Sequence, residues 1–144
     1  MSKSRSLAGL RVGFALGSKE LIEGLTRIKD SFNSYTIDRL AIAGARAAMN
    51  DHSYFAETTE KIITTREYLT TELKARDFHV LPSQTNFLFI RHKAKTAADL
   101  YLELKKRNIL VRYFNKPGID AYLRVTIGTD AEMKQFLDIL DTLK

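Results

Sequence analysis

The sequence predicts an α/β chain that ends in an α+β unit, a small sheet covered by helices, with a long connecting helix before it. Three observations carry this. The second half of the 144 residues reads as a compact strand, helix, strand, strand, helix succession. Upstream of it, Phe55, Ile62, Leu69 and Leu73 recur at spacings of seven and four, which marks one long amphipathic helix running to about Arg76. Leu123, Val125 and Ile127 alternate with polar neighbours, the period of a strand that buries one face.

Taken in order, the chain opens with a turn rich in Ser and Gly that leads into an apolar, strand-like run, Val12 to Leu16. Leu21, Ile22 and Leu25 then form a short helical stripe within residues 19 to 29, and Ser31 to Thr36 reads as a polar turn. From Ile37 to about Asn50 the pattern is rich in alanine, with Ala43, Gly44 and Ala47 small enough for a helix to approach another backbone closely. A kink or short loop is expected at Asn50 to Ser53, before the long helix. Beyond that helix, Phe78 to Leu81 and Asn86 to Arg91 read as strands around the Pro82-Ser83 turn. Ala97, Leu100, Tyr101 and Leu104 give a helix, Ile109 to Phe114 a third strand, Pro117-Gly118 a turn, and the Leu123 segment a fourth strand. Thr129 with Glu132 has the spacing of a capping box, and Met133, Phe136, Leu137 and Leu140 supply the buried stripe of a last helix.

Composition excludes more than it identifies. With 44% hydrophobic and 28% charged residues the chain has the make-up of an ordinary globular domain. No apolar run is long enough for a transmembrane helix or a signal-peptide core, so a cytoplasmic location and no membrane partner are expected. The absence of cysteine removes disulfides, thiolate metal sites and cysteine nucleophiles. A net charge of +6 invites a search for an anionic partner. The basic residues are nevertheless spread along the chain, and the densest cluster, Lys105, Lys106 and Arg107, ends a predicted helix, where cations complement the helix dipole. That distribution argues against nucleic acid. His52, His79 and His92 are scattered with no carboxylate or histidine at metal-ligand spacing, so no metal site is expected. Asp130 and Glu132 are explained by helix capping, and the glycines fit no nucleotide-cradling pattern.

The N-terminal segment is specific. SKSRSLAGLRVGFALG places Lys3 eight residues before Arg11, after a Ser-Lys pair and a turn of small residues. This resembles the signature of the class I and II aminotransferases, the fold-type I enzymes that use pyridoxal 5'-phosphate, and within them the histidinol-phosphate aminotransferase branch. Three further segments agree in order and approximate spacing: PSQTNFLFIR at 82 to 91, NILVRYF at 108 to 114 and YLRVTIGT at 122 to 129. Asn108 departs from the pattern, standing where that branch often has Gly.

The resemblance implies roles. Lys3 is the catalytic residue, forming the Schiff base with the cofactor aldehyde and, once released, shuttling a proton. Lysine suits this because its pKa shifts readily when it is partly desolvated beside other cations. Arg11 binds the cofactor phosphate through its planar fork, and Ser2 assists as a hydroxyl donor. Arg124 pairs with the substrate carboxylate, and Arg112 helps to bind a substrate phosphate. Alternation adds a point from the residues themselves: Arg124 lies on the strand face opposite Leu123, Val125 and Ile127, and Arg112 on the face opposite Ile109, Val111 and Tyr113.

In such enzymes the aspartate facing the pyridine nitrogen and most of the central parallel sheet precede the lysine. The chain is therefore expected to be the C-terminal part of a longer polypeptide and inactive alone. Residues 1–34 would be the trailing edge of the large cofactor-binding domain, 35–76 the connecting helices and 77–144 the C-terminal small domain. The implied partners are an amino-acid substrate, the glutamate/2-oxoglutarate pair and a second copy in a homodimer. Two alternatives stay open: a related aromatic aminotransferase or phosphate-substrate decarboxylase, and a basic binding module without catalysis.

Overall fold

The computed structural model describes residues 1–143; Lys144, the last residue of the expected small domain, lies outside them. The chain forms two compact units, Met1–Glu57 and a second beginning at Thr58. The expected mixture of helices with one small sheet is present, and the sheet lies wholly in the second unit.

The first unit begins with closely wound turns and a single 3-10 turn at Ala8–Leu10. The run Val12 to Leu16, expected as a strand, is not one. A strand exists only as part of a ladder, and no described segment pairs with this run, which leaves Phe14 and Leu16 exposed. Helix α1 (Lys19–Phe32) starts at Ser18, whose hydroxyl accepts from Leu21 N at 3.4 Å. It continues through Ser31 and Phe32, which read as turn; within the helix the Ser31 hydroxyl donates back to Arg27 O at 2.6 Å. Helix α2 (Arg39–Asn50) is capped by Asp38, which accepts from Ala41 N at 2.8 Å. A Cβ at Gly44 would lie 2.8 Å from Leu10 Cδ1, so the small residue admits a leucine side chain instead of another backbone. Arg5 closes the end of α2 by donating to Ala48 O at 3.0 Å and Asp51 O at 3.3 Å. Its guanidinium lies 3.8 Å from the centre of the Phe55 ring.

Helix α3 (His52–Ala75) follows after the single residue Asp51, so the expected break is one residue long. In the second unit α3 is tied at two points to α5 (Asp130–Thr142). The buried Thr65 donates to Asp130 Oδ1 at 2.7 Å. Three turns further on, Arg76 makes a two-pronged bond to Asp141 with both contacts at 2.9 Å, while its third nitrogen reaches Glu72 at 2.6 Å. Thr65 to Arg76 and Asp130 to Asp141 are both steps of eleven residues, so the two helices run alongside each other in the same direction. The capping box of α5 is complete: Thr129 Oγ1 accepts from Glu132 N, and the Glu132 carboxylate accepts from Thr129 N at 2.7 Å.

The sheet has the order β1-β2-β4-β3, all neighbours antiparallel, with β1 at Phe78–Val80, β2 at Phe87–His92, β3 at Arg112–Tyr113 and β4 at Leu123–Thr126. One face carries Phe78, Val80, Leu88, Ile90, Leu123 and Val125. All are buried in a single core with Leu69 and Leu73 of α3, Leu100 and Leu104 of α4 (Ala97–Lys106), and Phe136, Leu137 and Leu140 of α5. Burial of this kind contributes about 1.5 to 3 kcal/mol per large apolar side chain. Among the described residues no helix is long and apolar enough to cross a membrane.

Strand β3 is shorter than the expected 109 to 114, and the cause lies at the end of α4. Asn108 N donates to Lys105 O at 3.1 Å and Ile109 N to Leu104 O at 2.9 Å, a Schellman closure with Asn108 in the left-handed region at φ 61°. The Ile109 amide thus serves the helix and is withdrawn from any ladder. The same geometry explains why Gly suits position 108 and why Asn, which tolerates left-handed backbone, replaces it. Asn108→Ala is expected to lower stability by about 1 kcal/mol and Asn108→Gly to change it little, as measured by urea denaturation. Equal stability of Asn108→Ala and wild type would show that the conformation is not retained.

A second expectation concerns pH. His92 Nδ1 accepts from Ala94 N at 3.1 Å and from Lys95 N at 3.0 Å, an arrangement open only to the neutral ring. Burial first, and the Lys95 charge second, hold its pKa below the ordinary 6.5. The unfolded state therefore binds the proton more readily, so this contribution is complete above about pH 6.5 and fades as pH falls from there to the depressed folded value. Melting temperature should fall between about pH 7.5 and 5.5 in wild type, and by less in His92→Asn, which keeps an acceptor and does not titrate. Identical pH profiles for the two would refute this role.

Candidate active site

The motif residues of the first unit lie in its opening turns, held by Arg5 N to Met1 O at 3.3 Å, Ser6 N to Lys3 O at 3.1 Å and Leu7 N to Met1 O at 3.4 Å. Lys3 is exposed, and its amine has no hydrogen bond or ion pair among the described residues. Ser2 beside it is half-buried. Arg11 sits in the left-handed region at φ 53°, uncommon for a residue with a side chain. Its Nη1 donates to Ala8 O at 3.0 Å, which uses one of five N–H donors and leaves the rest of the fork available. Gly9 and Gly13 have open space where a Cβ would lie, so their freedom is not used for a close approach within this unit.

The second unit presents a different chemistry on the open face of its sheet. The register pairs Phe89 with Arg124 and Arg124 with Arg112, so these three side chains form a row across β2, β4 and β3, opposite the core face. The Arg124 guanidinium lies 5.3 Å from the centre of the Phe87 ring and 5.8 Å from that of Phe114, and Arg112 lies 5.4 Å from Phe114. Arg124 is half-buried, and its Nε is fully enclosed with no hydrogen-bond partner. Neither arginine forms an ion pair among the described residues. Two adjacent guanidinium forks without a carboxylate, one with an unsatisfied buried donor, have the chemistry to accept an anion.

Alternation along β4 placed Arg124 correctly, but the aromatic surroundings escaped the sequence reading. Phe87, Phe89 and Arg91 share this open face by the same two-residue period, and Tyr122 and Phe114 complete it. The signal was present in NFLFIR, which is apolar on both faces and so looks like a fully buried strand. The rings form a continuous surface: Phe89 stacks on Tyr122 at 4.7 Å and 15°, and meets Phe114 edge-on at 6.4 Å.

Other charged groups are occupied locally. Glu103 pairs with Lys106 at 2.8 Å and Arg107 at 2.6 Å, and these cations pull its carboxyl down to about 2. Lys105 lies 5.9 Å from the centre of the Tyr101 ring. Asp130 and Glu132 serve the α5 terminus as described. Among the described residues no group of three or more His, Asp or Glu has the arrangement of a metal site.

These features accompany a broad similarity. Residues 1–140 match the model of the family described as aminotransferase class I and II. The chain is 60% identical over 141 residues to histidinol-phosphate aminotransferase 1 of Oceanobacillus iheyensis, covering 98% of this chain and 40% of the relative. It is 59% identical over 138 residues to the histidinol-phosphate aminotransferase of Clostridium acetobutylicum, covering 96% and 39%. Among solved structures it resembles the histidinol-phosphate aminotransferase of Sinorhizobium meliloti in complex with pyridoxal-5'-phosphate, with 25% identity, a TM-score of 0.82 and coverage of 99% and 40%. The L-threonine-O-3-phosphate decarboxylase of Porphyromonas gingivalis also resembles it, with 26% identity, a TM-score of 0.75 and coverage of 97% and 43%. The chain thus spans about two fifths of the length of the curated relatives it matches. Turn motif, sheet and matched residues run together along almost the whole sequence, and the chain belongs to the class I and II aminotransferase family.

Proposed function

We propose that this chain is the C-terminal region of a cytoplasmic, pyridoxal-phosphate-dependent histidinol-phosphate aminotransferase. The enzyme would move an amino group between histidinol phosphate or its keto counterpart, imidazole acetol phosphate, and the glutamate/2-oxoglutarate pair. The observation that carries this reading is the unpaired Arg112 and Arg124 side by side on an aromatic sheet face. Residues 1–34 would be the trailing edge of the large domain, 35–76 the connecting helices and 77–144 the small domain. By itself this region is expected to be inactive.

The residues present fit the cofactor. Lys3 offers an uncommitted amine and Arg11 a fork with most donors free, with Ser2 adjacent as a further donor. When bound, pyridoxal phosphate supplies an electron sink for the electrons released at the substrate α-carbon. The Lys3 amine would take the proton from that carbon and return it two atoms away, on the far side of the amino nitrogen, acting as base and then acid. Arg11 and Ser2 hold the phosphate ester by charge-assisted hydrogen bonds. Arg124 orients the substrate through its anionic group. Histidinol phosphate carries a phosphate ester on the arm where glutamate carries its α-carboxylate, so one guanidinium pair meets both. The dianionic phosphate engages Arg112 as well as Arg124, and the carboxylate is served by the bidentate fork of Arg124.

In the complete enzyme, Arg124→Lys keeps the charge and loses the fork. Catalytic efficiency should fall with every substrate by about 1.5 to 3 kcal/mol, roughly ten- to a hundredfold. Arg112→Ala should weaken histidinol phosphate strongly and leave a phosphate-free aromatic amino acid nearly unchanged. An equal loss for both substrates would move the reading to an aromatic aminotransferase. The likeness to the threonine-phosphate decarboxylase favours a second reading, a decarboxylase of a phosphate-bearing amino acid. Release of carbon dioxide without amino transfer would establish that alternative.

A homodimer is part of the proposal. Leu21, Leu25, Ile28 and Phe32 occupy one exposed face of α1, and Leu40 and Ile42 are exposed on α2, more apolar surface than a free monomer keeps in water. Light scattering of residues 1–144 should show dimers or larger species. A strict monomer that binds no apolar dye would count against it.

A further inference from the structure

Arg5 stands inside the N-terminal motif, two positions after Lys3, and neither binds nor reacts in the proposed function. It is half-buried, while Lys3 is exposed. The turn that carries Lys3 is closed mostly on itself, since Met1 O accepts from both Arg5 N and Leu7 N, and Lys3 O from Ser6 N. It also contains a strained position: Ser6 sits in the left-handed region at φ 54°, which a residue with a side chain adopts at a cost. Such a backbone persists where its surroundings hold it. Among the described residues, the hydrogen bonds that join residues 1–7 to the rest of the first unit are those of Arg5. Its Nη1 donates to Ala48 O at 3.0 Å and to Asp51 O at 3.3 Å, and the guanidinium stands over the Phe55 ring, 3.8 Å from its centre. Both carbonyls lie at the C-terminal end of α2, the negative end of the helix dipole, where a cation is favoured. The second half of the motif has its own mount, because Leu10 packs at Gly44, one helical turn before Ala48 on the same face of α2. The motif is thus seated on α2 at two points, with Lys3 next to the Arg5 point and Arg11 next to the Leu10 point.

We propose that Arg5 is a positioning residue: by fixing the turn to the end of α2 it holds the Lys3 backbone where the amine meets the cofactor aldehyde. The inference rests on the aminotransferase reading and deepens it. The Lys3 amine stays free to move, and only the place from which its side chain starts is fixed. Bond formation between an amine and an aldehyde depends on how often the two stand in reacting geometry, so a mount two residues away acts on the rate of that step. Arg11 meets the cofactor phosphate from the Leu10 side of the motif. Loss of the Arg5 contacts therefore separates two quantities that a general weakening of the fold would move together, the reaction at Lys3 and the binding of the phosphate.

The test uses the complete enzyme freed of cofactor, with a reactive probe and an unreactive one. Pyridoxal phosphate condenses with the Lys3 amine with loss of water, and borohydride added at intervals delivers hydride to the C=N bond, leaving a secondary amine that mass spectrometry counts at Lys3. Pyridoxamine phosphate has the same ring and phosphate but no aldehyde, so its equilibrium affinity reports binding without the Lys3 reaction. Arg5→Ala is expected to slow capture at Lys3 by about tenfold, the value of one charge-assisted hydrogen bond, and to leave the affinity for pyridoxamine phosphate within about twofold of wild type. Should Arg5→Ala fail to fold, Arg5→Lys decides the same comparison: it keeps a donor and loses the guanidinium over Phe55, and a slowing of about threefold is expected. Capture as fast as in wild type, or a fall in capture matched by an equal fall in pyridoxamine phosphate affinity, would overturn the proposal. Wild-type enzyme that is not captured at Lys3 would instead sink the aminotransferase reading, and this inference with it.

Discussion

The pairing of Phe89, Arg124 and Arg112 across three antiparallel strands is the constraint on which the chemistry of the second unit depends. Strand β4 lies between β2 and β3, and its two faces are committed in opposite ways. Leu123 and Val125 are locked into the core, which obliges Arg124 to face the other side. A shift of register by one residue would bury the guanidinium and expose the leucine. The hydrophobic core thus fixes the face on which the Arg124 guanidinium stands. The two ties between α3 and α5, at Thr65 and at Arg76, hold the layer that supplies that core.

Much of this was legible from periodicity alone. The apolar stripes of α3, α4 and α5, the capping box at Thr129 and the alternation of β4 are local signals, each set by a few neighbouring residues, and local signals survive in a sequence read without its fold. What escaped had non-local causes. Val12 to Leu16 has the composition of a strand, but composition supplies no partner for the ladder. Ile109 to Phe114 has it too, and there the Schellman closure at Asn108 takes the first amide. The aromatic face around Arg124 was hidden because NFLFIR is apolar on both faces, so its alternation does not say which ring faces which way. Phe87 and Phe89 are half-buried on the open side, and Phe87 lies against the Arg124 guanidinium.

The two sets of motif residues differ in how firmly they are held. Arg124 stands on a paired central strand between two rings, with little freedom to turn. Lys3 stands in a chain of turns with an uncommitted amine, and Arg11 is restrained mainly by its own bond to Ala8 O. This division suits the proposed roles. A group that fixes a substrate anion benefits from a rigid mount, since a loose fork loses binding energy to ordering. A lysine that takes a proton at one carbon and returns it two atoms away needs reach, which four rotatable methylenes provide.

Two guanidinium groups placed directly across a strand pair repel, at a cost of about 0.2 to 1 kcal/mol, and an enclosed donor without a partner costs about 1 to 3 kcal/mol more. A sheet selected only for stability would not keep this arrangement. The surrounding rings offset part of it, since each cation over an aromatic face is worth about 0.5 to 1 kcal/mol at an exposed site. In the proposed role an anion would relieve the remainder, and that relief would add to its affinity. In the proposed substrate site, the same unsatisfied Arg124 nitrogen that counts against folding would count in favour of binding.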